Sequence, residues 1–352
     1  MPTQVKTTYN DIHRWDNLLL AYRKASRGKR SRPAVAAFEY RLEDNLFQLQ
    51  YELSNEVYQP GPYASFTIHE PKHRLISAAP FRDRVVHHAL CQVIEPAFEA
   101  SFIHHSYANR IGKGTHSALD LCQKWAGRYQ YVLQCDVRQF FPSIDHSILQ
   151  RILNRRIQDG SIRQLCARIL NSGVNVLSEQ YDMVYFPGDN LFAINRPRGL
   201  PIGNLTSQFW ANCYLNAFDH FIIRQLGCSA YLRFVDDFLL FSNDKNTLWR
   251  WRKAIIERLA KLRLTLHESS AYPKPVAEGI PFLGFVVYPT HRLLKRRKGI
   301  SYRRKLKRML EAYRKNQIDL DALEHSLQGW INHVRYGDTW GLRRTMLAPV
   351  RL

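Results

Sequence analysis

The segment YLRFVDDFLLFS (residues 231–242) decides the fold, because it predicts two apolar strands joined by a tight turn. Asp236 and Asp237 lie at this turn. Neighbouring side chains of a regular strand point to opposite faces, but a hairpin tip can direct both carboxylates to one side. Carboxylates between Phe, Val and Leu are costly to desolvate unless a cation compensates them. The pattern therefore favours a metal site over the turn-forming role that a single Asp would indicate.

A second apolar run, YVLQCDV (residues 131–137), predicts a strand with Asp136 near its end. A lone Asp at a strand end is usually a turn-former, so Asp136 becomes a metal candidate only together with the Asp236–Asp237 pair. Mg²⁺ prefers oxygen ligands of this kind, and Mn²⁺ is the alternative ion. Two such ions held close together can activate a hydroxyl group and stabilise a leaving pyrophosphate.

Lysine and arginine total 51 residues against 30 aspartate and glutamate residues, which gives the 352-residue chain a formal net charge of +21. A soluble protein this basic usually binds a polyanion, because each phosphate that it neutralises releases condensed counterions. The alternative is a basic surface that serves only solubility. The hydrophobic fraction of 45% is near the globular average and argues against a mainly disordered chain.

The six cysteines include no C-x-x-C pair, which argues against a zinc site, and their spacing argues against a disulfide framework. Several lie in apolar runs, as buried thiols do. The N-terminal segment lacks the apolar core of a secretory signal, and no run reaches the ~18 apolar residues of a membrane span. We therefore expect a cytoplasmic protein that has no membrane partner.

Apolar residues at helical spacing predict helices over residues 34–56 and 204–226. The run PFLGFVVYP (residues 281–289) predicts a strand, and residues 171–199 are rich in loop-forming residues. Helices and strands thus mix around one sheet, which is typical of the α+β class. A basic stretch within residues 290–299 marks a candidate boundary before a basic, helical C-terminal unit.

Two motifs resemble those of reverse transcriptases of the group II intron and retron superfamily: FVDD (residues 234–237) and CDVRQFFPSIDH (residues 135–146). Phe234 stands where the family usually has tyrosine. The resemblance extends over nearly the whole chain. It implies an RNA-directed DNA polymerase whose two Mg²⁺ ions are held by three catalytic residues, Asp136, Asp236 and Asp237.

The same resemblance implies the α+β, right-hand fold of a polymerase. Fingers and palm, built from an antiparallel sheet plus helices, would occupy residues 1–290, with the fingers over about 1–130 and the palm over about 131–290. A basic helical thumb would occupy residues 291–352. Phe141 falls at the steric gate that excludes a ribose 2′-hydroxyl, and ordinary core packing is its alternative role.

The segment RGLPIGNLTSQFWANCYLN (residues 198–216) predicts a tight Pro–Gly turn that opens a helix. Gly203 permits close approach of the backbone to a base or sugar, and a helix N-terminus attracts phosphate; a plain helix start is the alternative. The segment resembles the family's nucleotide-binding motif. Ile202 replaces the common Gln, however, and Ser207 is followed by Gln208. This combination resembles the reverse transcriptases of diversity-generating retroelements, and it marks three substrate-binding candidates, Ile202, Gly203 and Gln208.

Those enzymes copy a template RNA with frequent errors opposite adenines, and the cDNA then rewrites a variable gene. The resemblance therefore implies template RNA, primer or cDNA, and deoxynucleoside triphosphates as ligands. It also implies a small basic oligomeric accessory protein, whose contact with so basic a chain we expect to be local or RNA-bridged. Two rivals stay open: a group II intron or retron enzyme, and a catalytically idle RNA-binding scaffold.

Further cations fall on motifs that resemble the family's fingers. Lys72 and Arg74 are alternate residues of a predicted strand, so they share a face and would contact the incoming triphosphate. An exposed, charged strand edge is the alternative. Arg110 and Lys113 lie in SYANRIGKGTHSAL (residues 106–119) and match an element that contacts template phosphates.

One departure from the family concerns the segment after LRLTLH (residues 262–267), where a lysine often protonates pyrophosphate. Here Ser269 and Ser270 occupy that region, and Lys274 is the next cation along the chain. We therefore expect Lys274 or another donor to serve. FLGF (residues 282–285) resembles the family's primer-grip hairpin.

Overall fold

The computed structural model describes residues 7–68 and 74–348. The α-helices are α1 (Tyr9–His13), α2 (Trp15–Ser26), α3 (Pro33–Tyr40), α4 (Leu42–Ser54), α5 (Phe81–Glu99), α6 (Thr115–Ala126), α7 (Phe140–Ser143), α8 (His146–Asn154), α9 (Gly160–Ser172), α10 (Leu205–His220), α11 (Lys245–Ala260), α12 (Arg296–Arg314), α13 (Leu320–Val334) and α14 (Trp340–Leu347). The strands are β1 (Ala64–Ile68), β2 (Arg74–Ala78), β3 (Tyr131–Arg138), β4 (Tyr231–Phe234), β5 (Asp237–Ser242), β6 (Thr265–Leu266), β7 (Pro273–Pro275), β8 (Ile280–Phe282), β9 (Phe285–Val287) and β10 (Arg292–Leu294). This mixture of helices and sheets confirms the predicted α+β class.

The chain divides into two compact units and crosses between them repeatedly. Unit 1 comprises Met1–His104, Asp136–Gly227 and Lys253–His267; unit 2 comprises His105–Cys135, Cys228–Arg252 and Glu268–Leu352. The boundaries expected for fingers, palm and thumb stay predictions. Within the described ranges, every helix is too short or too polar to cross a membrane.

The main sheet has the strand order β4-β5-β3-β6, and β7 also pairs with β3. β4 and β5 form the predicted hairpin. Phe234 lies opposite Asp237 in the register, so the turn consists of Val235 and Asp236. Asp236 therefore lies in the hairpin turn and Asp237 directly after it, as the sequence predicts.

β3 carries the third acid. Cys135 and Val137 are buried, whereas Gln134 and Asp136 are half-buried at the alternate positions. A strand that alternates in this way packs one side against the core and leaves polar groups on the other. The antiparallel pairing of Val137 with Leu266 then fixes the end of β3 against β6.

Two predicted elements are wrong in their extent. Residues 34–56 form two helices rather than one, because Arg41 leaves the helical conformation with φ −122° and ψ 50°. Each of α3 and α4 then buries its own apolar side. Residues 281–289 form the hairpin β8–β9 rather than one strand, since Leu283 and Gly284 adopt φ of 43° and 94°. The hairpin expected from FLGF is therefore confirmed.

The predicted helix over residues 204–226 is present as α10, but it ends in a wider turn. Phe221–Gln225 forms a π-helical turn, and the Leu226 N–H donates to the Phe221 carbonyl at 3.1 Å. An i→i−5 bond of this kind adds one residue to the turn and changes which side chains share a face.

Unit 2 has an aromatic core. Side chains from α6, β4, β5 and the β8–β9 hairpin pack together, among them Trp125, Leu232, Phe241, Phe282 and Phe285. A smaller core in the C-terminal helices contains Trp330, Val334 and Met346, with Tyr302 stacked on Trp330 at 4.5 Å between ring centroids. The basic, helical character predicted for the C-terminal part of the chain is confirmed by α12. All six cysteines are buried, and each is a thiol outside any disulfide.

A buried ion-pair network orders the loop-rich region of unit 1. Asp145 accepts from the Nε of Arg196 at 2.9 Å and from the Nη1 of Arg263 at 2.8 Å. Asp189 accepts from the Nη1 of Arg196 at 2.9 Å and from the Nη2 of Arg263 at 3.0 Å. The Asp145 and Asp189 side chains are only 1% and 3% exposed. The network therefore ties the start of α8, the loop before α10 and the segment after α11 to one another.

Asp145 also caps the N-terminus of α8. Its carboxylate accepts from the Ile148 N–H at 3.0 Å at the start of α8. Burial by itself would raise the pKa of Asp145, but the bonds from Ser147, Ile148 and Arg263 hold that pKa below its ordinary value. The ion pairs thus keep their full strength at neutral pH.

We predict that Asp145→Ala lowers the free energy of unfolding by about 3–5 kcal/mol, because it removes one of the two buried carboxylates that Arg196 and Arg263 share. Urea unfolding at pH 7 measures this change. Since the folded-state pKa lies below the unfolded value of about 3.9, the parent keeps this contribution above about pH 4 and loses it as the pH falls further.

The control variant is Asp44→Ala, because the Asp44 carboxylate pairs with Arg41 at 3.1 Å on the exposed surface of α4. Such exposed pairs contribute at most about 1 kcal/mol. Equal losses for the two variants would contradict the structural role of the network.

Candidate active site

The hairpin tip that carries Asp236 and Asp237 is strained. Val235 adopts φ +59°, in the left-handed region that β-branched residues rarely occupy. The Nη1 of Arg233 donates to the Val235 carbonyl at 2.8 Å, and the Arg233 residue is only 1% exposed. Strain of this kind costs about 1–3 kcal/mol and persists only where the surroundings impose it. A buried arginine thus holds the backbone that presents the two acids.

A short segment before α6 pairs with this hairpin. The Arg233 N–H donates to the His105 carbonyl at 3.0 Å, and the Tyr107 N–H donates to the Arg233 carbonyl at 2.9 Å. The Nη1 of Arg110 donates to the Ser106 carbonyl at 2.9 Å. The Nζ of Lys113 lies 5.5 Å from the centroid of the Tyr107 ring. Arg110 and Lys113 therefore stand beside the segment that supports β4, and their contact with template phosphates stays a prediction.

Gln134 contacts Asp237, and the sequence analysis missed it. Its Nε2 donates to the Oδ1 of Asp237 at 3.1 Å and to the Pro281 carbonyl at 3.2 Å. A neutral amide orients the carboxylate without neutralising its charge. In the sequence, Gln134 stands out as a polar residue in the apolar run YVLQCDV, two positions before Asp136. Gln134 is therefore a positioning residue for Asp237.

Asp136 is half-buried near the end of β3, and its carbonyl accepts from the His267 N–H at 3.0 Å. This bond continues the β3–β6 pairing by one residue. Within residues 7–68 and 74–348, no group of three or more His, Cys, Asp or Glu side chains is arranged to hold a metal ion by itself. Of the three predicted ligands, Asp136 and Asp237 lie on strands and Asp236 lies in the hairpin turn, and their joint binding of metal stays a prediction.

Phe141 follows β3 on the short helix α7, where it is half-buried against Phe140 at 5.4 Å between ring centroids. The Leu200 N–H donates to the Phe141 carbonyl at 2.9 Å, and the Gly199 N–H donates to the Ile144 carbonyl at 2.8 Å. Backbone hydrogen bonds therefore attach the predicted steric gate to the segment that precedes α10.

The same segment is attached to β2. The Ser77 N–H donates to the Ile202 carbonyl at 2.9 Å. Asn204 is buried; its Nδ2 donates to the Ser77 carbonyl at 2.8 Å, and its Oδ1 accepts from the Ala79 N–H at 3.0 Å. Arg74 is the first residue of β2 and is exposed. Unit 1 thus brings Arg74's strand to Ile202, whereas Lys72 lies outside the described residues.

Gly203 has a positive φ of +116°, which disfavours any residue with a Cβ. A Cβ at this position would lie 2.9 Å from the Cγ2 of Ile76. The sequence predicts a close approach of the backbone at Gly203, and in the structure this backbone lies close to Ile76 of β2. Gln208 is half-buried in the first turn of α10, and its N–H donates to the Asn204 carbonyl at 3.3 Å.

Lys274, considered in place of the missing family lysine, lies on β7 opposite Val132. Its Nζ is 4.4 Å from the centroid of the Tyr272 ring. Ser269 and Ser270 are exposed. The structure thus gives Lys274 an aromatic contact, and its role as a proton donor stays a prediction.

The sequence matches the family described as "Reverse transcriptase (RNA-dependent DNA polymerase)" over residues 68–287. The chain belongs to this family, and the RNA-directed DNA polymerase class and the right-hand polymerase fold expected from its motifs are confirmed.

The chain is also similar to individual proteins. Protein YkfC of Escherichia coli K12 is 26% identical over 299 residues, which cover 73% of each chain. The group II intron-encoded protein LtrA of Lactococcus lactis subsp. cremoris is 25% identical over 185 residues, which are 52% of this chain but only 29% of LtrA. Telomerase from Candida albicans has a TM-score of 0.48 at 14% identity, covering 83% of this chain and 54% of that chain.

We predict that Gly203→Ala destabilises the protein by at least about 1–3 kcal/mol, because the new Cβ meets both a forbidden φ and the side chain of Ile76. Gly112→Ala is the matched control: Gly112 also has a positive φ, of +72°, but nothing lies within 4 Å of its virtual Cβ. Denaturant unfolding compares the two. A loss for Gly203→Ala no larger than for Gly112→Ala would show that the contact with Ile76 is unimportant.

Proposed function

We propose that the protein copies a template RNA into cDNA with Asp136, Asp236 and Asp237 as its catalytic metal ligands. The observation that carries the proposal is the strained Val235–Asp236 turn. The positive φ of Val235 lowers the stability of the fold, and the buried Arg233 maintains this conformation. A purely structural role does not explain such a strained residue. Its effect is to present two acids at the end of an apolar hairpin.

Divalent ions fit the chemistry of these residues. Asp236 and Asp237 are half-buried carboxylates, and Asp237 accepts a hydrogen bond from the neutral amide of Gln134. Magnesium that acts on phosphates usually takes one or two carboxylates from the protein and its other oxygens from substrate and water. When bound, two such ions would lower the pKa of a 3′-hydroxyl and stabilise the leaving pyrophosphate.

The position of Asp136 on β3 supports its inclusion as the third metal ligand. Gln134 and Asp136 are alternate residues of β3, which neighbours β5 in the strand order. Alternate residues share a face of a strand, so the residue that orients Asp237 and the third acid face the same way.

The remaining residues are proposed to bind substrate rather than to react. Phe141 would exclude a ribose 2′-hydroxyl, and its backbone tie to residues 199–200 would hold the ring in place. Arg74, together with Lys72, would contact the triphosphate, because guanidinium and ammonium groups suit phosphate oxygens. Arg110 and Lys113 would follow the template backbone, in line with the net charge of +21.

We predict that Asp236→Asn or Asp237→Asn reduces primer extension on an RNA template by at least ~10²–10³-fold, because each removes a carboxylate that would hold the metal ions that stabilise the transition state. Chelation of divalent ions should abolish extension by the parent, and added Mg²⁺ should restore it.

The control for this assay is Asp244→Asn, because Asp244 is exposed and bonds only the following turn, through Asn246 and Thr247. This variant should extend primers like the parent. Metal-dependent extension that survives in Asp236→Asn would refute the assignment. No extension by the parent on any primed RNA would favour the idle RNA-binding scaffold.

We further propose that the enzyme is of the diversity-generating type, error-prone at template adenines. Support comes from Ile202 and the Ser207–Gln208 pair. Ile202 is half-buried, and its carbonyl is fixed by Ser77, so its branched side chain occupies a defined place where related enzymes have an amide. An apolar side chain makes no hydrogen bond and discriminates less between paired and mispaired bases.

On this proposal the chain works with a structured template RNA and a small basic oligomeric protein. Similarity to LtrA favours the rival group II intron type.

We predict that Ile202→Gln lowers misincorporation opposite template adenines by about tenfold or less, the range expected of one polar contact in substrate discrimination. Sequencing of cDNA made from a defined RNA template gives the error at each base. Ile202→Leu keeps an apolar side chain of the same size and should retain the parent's error pattern. Equal adenine errors in Ile202→Gln and the parent would remove the support for the diversity-generating type.

A further inference from the structure

A strained turn connects β3, which carries Asp136, to α7, which carries the steric-gate candidate Phe141. Gln139 forms this turn with φ 46° and ψ 45°, in the left-handed region that residues other than glycine seldom adopt. After the turn, Phe140 lies in the core at 2% exposure, whereas Phe141 is only half-buried. The conformation of Gln139 therefore determines how the chain passes from the predicted metal ligand to the predicted gate.

Two side-chain hydrogen bonds join Gln139 to Asp182, a residue of the loop-rich segment before α10. The Nε2 of Gln139 donates to the Oδ2 of Asp182 at 3.2 Å, and the Asp182 N–H donates to the Oε1 of Gln139 at 3.0 Å. One amide thus bonds both the side chain and the backbone of a residue 43 positions away. A strained residue keeps its conformation only where its surroundings impose it, and this reciprocal pair is such a restraint.

The helix α7 restrains only the backbone of the turn. The Ser143 N–H and the Ser143 hydroxyl both donate to the Gln139 carbonyl, at 2.9 Å and 2.7 Å. These bonds close the first turn of α7 and do not involve the Gln139 side chain. The contacts with Asp182 therefore add a restraint that α7 itself does not supply.

Asp182 is held in place by its neighbours in the chain. The guanidinium of Arg198 lies 4.3 Å from the centroid of the Tyr181 ring, and its Nη1 donates to the Met183 Sδ at 3.7 Å. The residues before and after Asp182 thus contact the same arginine. This arrangement gives Asp182 a defined position although it belongs to no helix or strand.

The segment that contains Arg198 also bonds α7. Two residues further on, the Leu200 N–H donates to the Phe141 carbonyl at 2.9 Å. Contacts therefore lead from Gln139 through Asp182 and Arg198 back to Phe141. The backbone at Phe141 and the turn before it are thus restrained by one loop-rich segment.

We propose that Asp182 is a positioning residue for the steric gate: through Gln139 it sets the direction of the Phe141 ring, and thereby the selection of deoxyribose over ribose. Asp182 itself touches no substrate. A gate that excludes one hydroxyl group acts through its exact placement, so a small displacement of the ring relaxes the selection. The inference rests on the proposed function, since it requires Phe141 to exclude a 2′-hydroxyl, and it adds a residue that lies outside the motifs of the sequence.

Arg138 suggests another role for Asp182, because its Nη2 donates to the Oδ2 of Asp182 at 2.5 Å. In that role the aspartate would hold a cation ready for substrate phosphates. The side chains of Asp182 and Arg138 are 66% and 45% exposed, however, and ion pairs so accessible to water contribute little. The backbone N–H of Asp182 that bonds Gln139 does not depend on this charge, which favours the positioning role.

The test compares dNTP with rNTP incorporation, each as kcat/KM, in single-nucleotide primer extension on an RNA template with Mg²⁺. Asp182→Ala should lower the dNTP/rNTP ratio by about tenfold, mainly by raising rNTP incorporation, because a misplacement of roughly 1 Å can change rates by up to about 10²-fold. Gln139→Ala should have the same effect. The Gln139→Ala/Asp182→Ala double variant should lose no more than either single variant, since both act through one contact.

Asp182→Asn separates the positioning role from the charge role. Its amide keeps an acceptor oxygen for Gln139 and leaves the backbone N–H unchanged, but it removes the charge opposite Arg138. The positioning role predicts that this variant keeps the dNTP/rNTP ratio of the parent. An equal loss in Asp182→Asn and Asp182→Ala would overturn the proposal.

The matched control is Asp44→Ala, because the Asp44 side chain is 67% exposed and also pairs with an arginine, on α4. This variant should keep the dNTP/rNTP ratio of the parent. A loss as large as that of Asp182→Ala would mean that the ratio responds to any exposed ion pair, and it would refute the positioning role.

Phe141→Ala distinguishes failure of this inference from failure of the proposed function. A lowered ratio in Phe141→Ala beside an unchanged ratio in Asp182→Ala would overturn the inference alone. An unchanged ratio in Phe141→Ala would overturn the steric gate and, with it, the role of Asp182. Absence of primer extension by the parent would contradict the polymerase assignment itself.

Discussion

The segment before α10 depends on one constraint: irregular backbone inside a protein must still satisfy its hydrogen bonds. Residues 199–204 form no regular element, yet Leu200 and Asn204 are 1% exposed. Their partners are the turn after β3 on one side and β2 on the other. These bonds therefore fix three features within unit 1: the steric-gate candidate, the nucleotide-binding turn and the strand that carries Arg74.

Each unit contains buried charged side chains whose hydrogen bonds fix their positions. In unit 1, Asp145 and Asp189 share two arginines in a closed network, so each carboxylate is matched by cations of the protein itself. At the hairpin of unit 2, the buried Arg233 donates to the Val235 carbonyl, and the neutral amide of Gln134 donates to Asp237. The first arrangement stabilises a loop-rich region. The second fixes the backbone of the turn and orients an acid.

The sequence predicted the parts of the fold that local patterns determine. The FVDD hairpin, the strand that carries Asp136 and the helix after Gly203 all follow from apolar periodicity and turn chemistry. Apolar periodicity alone predicted one strand over residues 281–289, whereas the resemblance of FLGF to a hairpin motif anticipated the turn at Leu283 and Gly284. The sequence did not predict that Arg41 splits a helix, because that split depends on packing partners far along the chain. Gln134, Asn204 and the arginines around Asp189 were missed for the same reason: their partners lie tens of residues away. The joint action of the three aspartates as ligands stays a prediction.

The position of β3 inside its sheet also governs how the protein is made. β3 ends at Arg138, but β5 begins at Asp237 and β6 at Thr265, so neither neighbour exists when β3 leaves the ribosome. At a synthesis rate of roughly 5–20 residues per second, both edges of this strand wait on the order of 5–20 s for their partners. Unpaired apolar strands invite pairing with other chains. A nascent chain released before Asp237 therefore carries an aggregation-prone strand, and faster elongation shortens the interval in which that strand is exposed.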